Sequence, residues 1–236
     1  VGATPIKTAQ GWLFVYSHIQ NYFPAEGNFG NRIFGIEATI LDLNDPLKII
    51  GRTRGPFITP REPYELLGHV SDIVFSSGAI LKKDTLFIYY GAADTTICVA
   101  HVSLTDLLNS INPKTISRWH FKRFINNPII TPDKKHPFEA KATFNPAALR
   151  IKNTTHILYR TFSDDNTSFI GYASTKDGFN IEERLKKPVY IPRESFESKK
   201  IAGGNSGCED PRLTKIGKVI YMCYTAFDGI GPPRVA

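Results

Sequence analysis

Ser76-Ser77-Gly78-Ala79-Ile80, followed by Leu86-Phe87-Ile88-Tyr89-Tyr90 and then Gly91-Ala92-Ala93-Asp94, is the stretch from which the fold is read. A small or polar start opens an apolar run, a polar turn follows, and a second apolar run ends on tyrosine. Short runs rich in Ile, Val, Tyr and Phe, separated by Gly, Asp, Asn or Lys turns, form antiparallel hairpins.

The same pattern returns three times. Gly2-Ala3-Thr4-Pro5-Ile6 leads to Trp12-Leu13-Phe14-Val15-Tyr16, Asn145-Pro146-Ala147-Ala148-Leu149 to His156-Ile157-Leu158-Tyr159, and Asp210-Pro211-Arg212-Leu213 to Val219-Ile220-Tyr221-Met222-Cys223-Tyr224. Counted back from Tyr16, Tyr90, Tyr159 and Tyr224, every copy starts 14 residues earlier, at Gly2, Ser76, Asn145 and Asp210. A third strand follows in Arg32-Ile33-Phe34-Gly35-Ile36, Ile97-Cys98-Val99-Ala100 and Ile170-Gly171-Tyr172-Ala173. A further echo lies between the units, in Gly55-Pro56-Phe57-Ile58-Thr59-Pro60, Asn127-Pro128-Ile129-Ile130-Thr131-Pro132 and Lys187-Pro188-Val189-Tyr190-Ile191-Pro192. A unit of three or four strands repeated at near-constant spacing is the signature of β-propeller blades. The chain therefore reads as an all-β propeller with about four blades. Leu104-Thr105-Asp106-Leu107-Leu108 is the one helical-looking stretch and is too short to alter the class.

In a propeller the innermost strand of each blade lines the channel, so Ser76, Asn145 and Asp210 are expected to converge at one mouth. The loop residues Asp94, Asp164 and Asp228 are expected around the same rim. Residues far apart in sequence would thus share a polar pocket, a usual place for a ligand.

Gly207-Cys208-Glu209-Asp210-Pro211-Arg212 is the densest polar segment at the head of an apolar strand. Buried charges are costly unless paired, so the segment reads as a polar site, or else as an Asp-Pro turn with a solvated Glu209–Arg212 pair. Two adjacent carboxylates raise one pKa, which suits a general acid. Asn145 suits a hydroxyl contact or a turn cap. Arg160 suits a ligand contact or an ion pair between blades, and Asp94 a ligand contact or a turn. His69, alone in Gly68-His69-Val70, is the weakest of the candidates.

The 236 residues are 42% hydrophobic and 12% aromatic, enough for a packed core. No apolar run reaches the length of a membrane helix, and the start lacks the pattern of a signal peptide. The net charge of +7 is scattered and accompanied by no nucleic-acid-binding motif. It permits attraction of a small anion. Cys98, Cys208 and Cys223 are an odd number without metal-ligand spacing, so neither a disulfide framework nor a metal site is expected, and free thiols favour the cytoplasm.

Taken together, Phe144-Asn145-Pro146-Ala147-Ala148, Gly207-Cys208-Glu209-Asp210-Pro211-Arg212 and Tyr89-Tyr90-Gly91-Ala92-Ala93-Asp94 resemble glycoside hydrolase family 130. The resemblance implies a five-bladed propeller and inverting phosphorolysis of β-mannosides to α-mannose 1-phosphate. Asp210 would be the catalytic acid, its proton relayed through a sugar hydroxyl. Asn145, Arg160, Glu209, Arg212, Asp94, Tyr90 and His69 would bind substrate. Inorganic phosphate would be a co-substrate, with no cofactor and no metal. Rivals are β-mannoside hydrolysis within the family, a non-catalytic sugar-binding propeller, and a furanosidase-like propeller, which needs a Glu partner not evident here. The resemblance also implies an altered order. Residues 1–108 resemble the family's C-terminal part and 121–236 its N-terminal part, with 109–120 as linker and the blade expected between Ala236 and Val1 absent. A fragment across tandem domains, a circular permutation, or completion by another copy or a partner chain would each give that order.

Overall fold

The computed structural model describes residues 2–20, 33–111 and 121–236. The first blade holds β1 (Ile6–Thr8), β2 (Gly11–Gln20), β3 (Ile33–Leu41) and β4 (Ile49–Arg52), paired in that order. A short helix, α1 (Pro63–Leu66), precedes the second blade of β5 (Val74–Lys82), β6 (Thr85–Ala92), β7 (Thr96–Ser103) and β8 (Lys122–Arg123), with α2 (Leu104–Ile111) between the last two. The third contains β9 (Ala142–Ile151), β10 (Thr154–Phe162), β11 (Thr167–Thr175) and β12 (Glu183–Arg184). The fourth contains β13 (Ser206–Ile216), β14 (Val219–Phe227) and β15 (Arg234–Val235). The units are antiparallel meanders, and the described residues form four blades of a β-propeller. Arg32, read as part of a third strand, and residues 112–120 of the expected linker lie outside the described residues.

Neighbouring blades are stitched at one end of the channel. The third strand of one blade touches the start of the next inner strand in parallel, through Phe34 and Ile73 and again through Ser168 and Gly207. Between the second and third blades the Thr143 amide donates to the Thr95 carbonyl at 3.0 Å. Gly207 is required at its seam. Its φ is +111°, and a Cβ there would lie 2.2 Å from the Ser168 carbonyl oxygen. The first and last inner strands meet directly, by Thr4 Oγ1 donating to the Leu213 carbonyl at 2.9 Å and Arg212 Nε to the Gly2 carbonyl at 3.0 Å.

The echo between the units is also explained. Ile58, Ile130 and Tyr190 bridge Ile36, Ile97 and Ile170 on the third strands, so each Pro-bounded segment adds an outer edge to its blade. The helical stretch extends past Leu108 to Ile111, because Leu104, Leu107, Leu108 and Ile111 fall on one helical face and pack into the core between the first two blades. Asp84 caps it by accepting from the Thr105 amide at 3.0 Å.

Packing is uneven around the ring. Ile88, Tyr89, Tyr90, Ile157 and Tyr159 on the second strands are fully buried, whereas Val219 and Tyr221 on β14 are 52% and 50% exposed. One extra residue bulges out of the inner strand against its neighbour at Ser77, at Asn145-Pro146 and at Asp210-Pro211. Such bulges re-aim side chains. Asn145 and Asp210 accordingly take φ of 47° and 51°, a conformation Asn and Asp tolerate better than other non-glycine residues.

Candidate active site

The two bulges bring their residues together across the blade boundary. Asn145 Nδ2 donates to Asp210 Oδ1 at 2.8 Å. Since the carboxylate accepts, the amide nitrogen faces it, leaving Asn145 Oδ1 buried and without a partner. A buried acceptor in that state suits a hydroxyl donor.

Arg160 on β10 ties the site together. It donates to Glu209 Oε1 at 2.7 Å, to Asp210 Oδ1 at 3.4 Å and through Nε to Ser168 Oγ at 3.0 Å. Its guanidinium also lies over the rings of Phe144 and Phe162, at 4.8 and 5.6 Å from their centroids. Asp94 lies at the β6–β7 turn, where Ala93 and Asp94 both have φ of 47°. Burial pushes the Asp94 carboxyl up to about 6, the Asp210 charge adds to the rise and Arg160 opposes it. Burial likewise raises Glu209, against the pull of Arg160. Three carboxyl groups thus lie around one guanidinium in a half-buried mouth, and two of them, Asp94 and Glu209, hold a proton more readily than a free carboxyl does.

The remaining candidates are placed differently. Arg212 lies beside the site, but its guanidinium holds the carbonyls of Gly2, Asp210 and Pro211. Tyr90 is fully buried within its blade, its hydroxyl on Glu65 Oε1 at 2.9 Å. His69 is exposed, its ring 5.8 Å from that of Phe162. Asp164 is exposed, and Asp228 is held by Lys200 Nζ at 2.6 Å and by the amides of Ile230 and Gly231. Ser76 lies on the inner strand with its hydroxyl buried and unpartnered. Sequence reading missed Ser168, which orients Arg160, and the role of Phe144 and Phe162 beneath the guanidinium. The aromatic residue before Asn145 was the available signal.

A cavity of about 220 Å³ opens beside Asp210, lined also by Arg212, Tyr224 and Thr225. A larger one of about 410 Å³, at the opposite end of the inner strands, has no carboxylate in its lining. The clustered carboxylates and Arg160 thus lie at the bulged end.

The overall shape is that of propeller proteins. An α-L-arabinofuranosidase from Lactobacillus brevis superposes with a TM-score of 0.60 over 98% of this chain and 70% of its own, at 13% identity. The chain belongs to glycoside hydrolase family 130, whose model, described as β-1,4-mannooligosaccharide phosphorylase, matches residues 1–113 and 118–233. It is 36% identical over 107 residues to a 1,2-β-oligomannan phosphorylase of Thermoanaerobacter sp. strain X514, covering 45% of this chain and 33% of that protein. A β-1,2-mannobiose phosphorylase of Listeria innocua is 36% identical over 110 residues, covering 47% of this chain and 28% of its own length. The chain thus spans about a third of the length of these curated relatives.

Proposed function

We propose that the protein acts on β-mannosides and, with inorganic phosphate as co-substrate, releases α-mannose 1-phosphate. What carries this reading is the Asn145–Asp210–Arg160–Glu209 cluster in a member of a family whose matched relatives are named as β-mannoside phosphorylases.

Asp210 is the acid. As phosphate oxygen bonds to the anomeric carbon from the α face, the glycosidic C–O bond breaks. The departing oxygen takes a proton from a sugar hydroxyl, which Asp210 reprotonates. Arg160 holds Asp210 and Glu209, while Asn145 Oδ1 and Asp94 receive hydroxyls of the mannosyl unit. In the order of the chain, residues 1–108 and 121–236 are two family segments joined at 109–120, a reading supported by the two separate family matches.

Hydrolysis is the second reading, favoured by the excess of carboxylates over the single guanidinium, which repels an anion. Incubation of β-1,2- and β-1,4-mannobiose with and without phosphate separates the two. Mannose 1-phosphate formed only with phosphate supports phosphorolysis. Free mannose at the same rate in both incubations supports hydrolysis.

A further inference from the structure

Three blades bury a glutamate that has no place in the site. Glu65, Glu139 and Glu197 are each fully buried in the segment preceding their blade, and each accepts from a tyrosine within the second strand. Tyr90 reaches Glu65 at 2.9 Å, Tyr159 reaches Glu139 at 3.0 Å, and Tyr224 bonds to Glu197. Two of the carboxylates are paired with an arginine and the third is held by backbone amides. Arg123 on β8 donates to Glu65 at 2.7 and 2.9 Å and to the Thr59 carbonyl at 2.7 Å. Arg184 on β12 meets Glu139 at 2.9 Å and the Thr131 carbonyl at 2.7 Å. The amides of Arg193 and Glu194 donate to Glu197 at 2.8 and 3.0 Å.

The register shows what these anchors lie beneath. Leu158 pairs with Ala147 and Arg160 with Phe144, so Tyr159 stands opposite the bulge that presents Asn145. Glu209 pairs with Thr225 and Arg212 with Cys223, so Tyr224 stands opposite the bulge that presents Asp210. At a bulge the backbone ladder is interrupted and no longer fixes the strand's position. Side chains locked by buried hydrogen bonds can supply that fixation.

We infer that Glu139 and Glu197 are positioning residues. Through Tyr159 and Tyr224 they clamp the second strands at the two bulges and so hold Asn145 and Asp210, with Arg160 next to Tyr159, in the geometry that brings Asn145 Nδ2 and Asp210 Oδ1 together. The kinetic consequence rests on the proposed phosphorolysis, whereas the structural one does not.

Tyr159→Phe and Tyr224→Phe keep the ring and delete the bond to the glutamate. Tyr16→Phe deletes a tyrosine–glutamate bond of 2.7 Å to Glu37, which lies on β3 directly opposite Tyr16 in the first blade, a blade that supplies none of the clustered side chains. Two readouts are compared in all three variants. The first is kcat and KM for β-mannobiose phosphorolysis. kcat is expected to fall about tenfold or more in Tyr159→Phe and Tyr224→Phe with KM changed less, because misplacement of reacting groups acts on the barrier; Tyr16→Phe stays within about twofold. The second readout is the Asp94 carboxyl titration followed by carbon-13 NMR, which needs no turnover. Asp94 faces Asp210 and Arg160, so displacement of either moves its midpoint by at least about 0.3, and Tyr16→Phe leaves it in place. If all three variants fold and behave alike in both readouts, the inference is overturned. If the parent protein releases no mannose 1-phosphate, the proposed function fails, and the Asp94 titration still decides the inference.

Discussion

Asp94→Asn is expected to make the protein more stable as it makes it inactive. The Asp94 carboxyl is raised from 3.8 to about 6, chiefly by burial and then by the Asp210 charge. Between those values the folded protein keeps a proton that the unfolded chain has released, so stability falls as pH rises across the window. Above about pH 6 the whole penalty is present. Two units at about 1.36 kcal/mol each give about 2–3 kcal/mol. Asparagine is nearly isosteric, carries no charge and tolerates the local φ of 47°, so the variant escapes the penalty without straining the turn. Urea unfolding at several pH values from 3.5 to 8, each buffered, reads the difference between the two proteins, which cancels the titration of other groups. The variant should match the parent near pH 3.5 and gain steadily to about 2–3 kcal/mol at pH 7.5, roughly 5–10 °C in Tm for a chain of this size. A difference that does not change with pH, or a variant less stable at pH 7.5, would refute the burial argument for this carboxyl.

Three other outcomes follow from the same contacts. Arg160→Lys cannot span Glu209, Asp210 and Ser168 at once, and kcat/KM for β-mannobiose should fall roughly a hundredfold. Arg123→Met leaves Glu65 buried without its cation and should cost about 3–5 kcal/mol in a denaturant titration. Gly207→Ala places a methyl group 2.2 Å from the Ser168 carbonyl and should part the seam between the third and fourth blades, seen as loss of amide protection in β13 by hydrogen exchange.

The fold was legible because each blade repeats a tyrosine 14 residues from a small or polar start, and strand periodicity is a local property. The meeting of Asn145 and Asp210 was legible for a related reason, since equivalent positions of a repeat converge at the channel; the pairing of Arg160 with Glu209 was not, because neither occupies an equivalent position of the repeat. Tyr90 went astray because a run of consecutive apolar residues does not say which face each one takes; the register turns its hydroxyl inward to Glu65. The direction of Arg212 depends on contact with Gly2, 210 residues away, which no local pattern encodes. Glu65, Glu139 and Glu197 were overlooked because a lone carboxylate in a Pro-rich segment looks like a solvated loop residue. Only the folded chain brings the tyrosine to each of them, and an arginine to Glu65 and Glu139.

The most direct test compares two leaving groups in Asp210→Asn. Departure of a sugar alkoxide needs a proton, whereas 2,4-dinitrophenolate leaves without one. If Asp210 is the proton donor, phosphorolysis of β-mannobiose by the variant should fall by about 10²–10⁴, while 2,4-dinitrophenyl β-mannoside, with phosphate present, is turned over within about tenfold of the parent rate. Equal losses on both substrates, or no loss on either, would contradict the account.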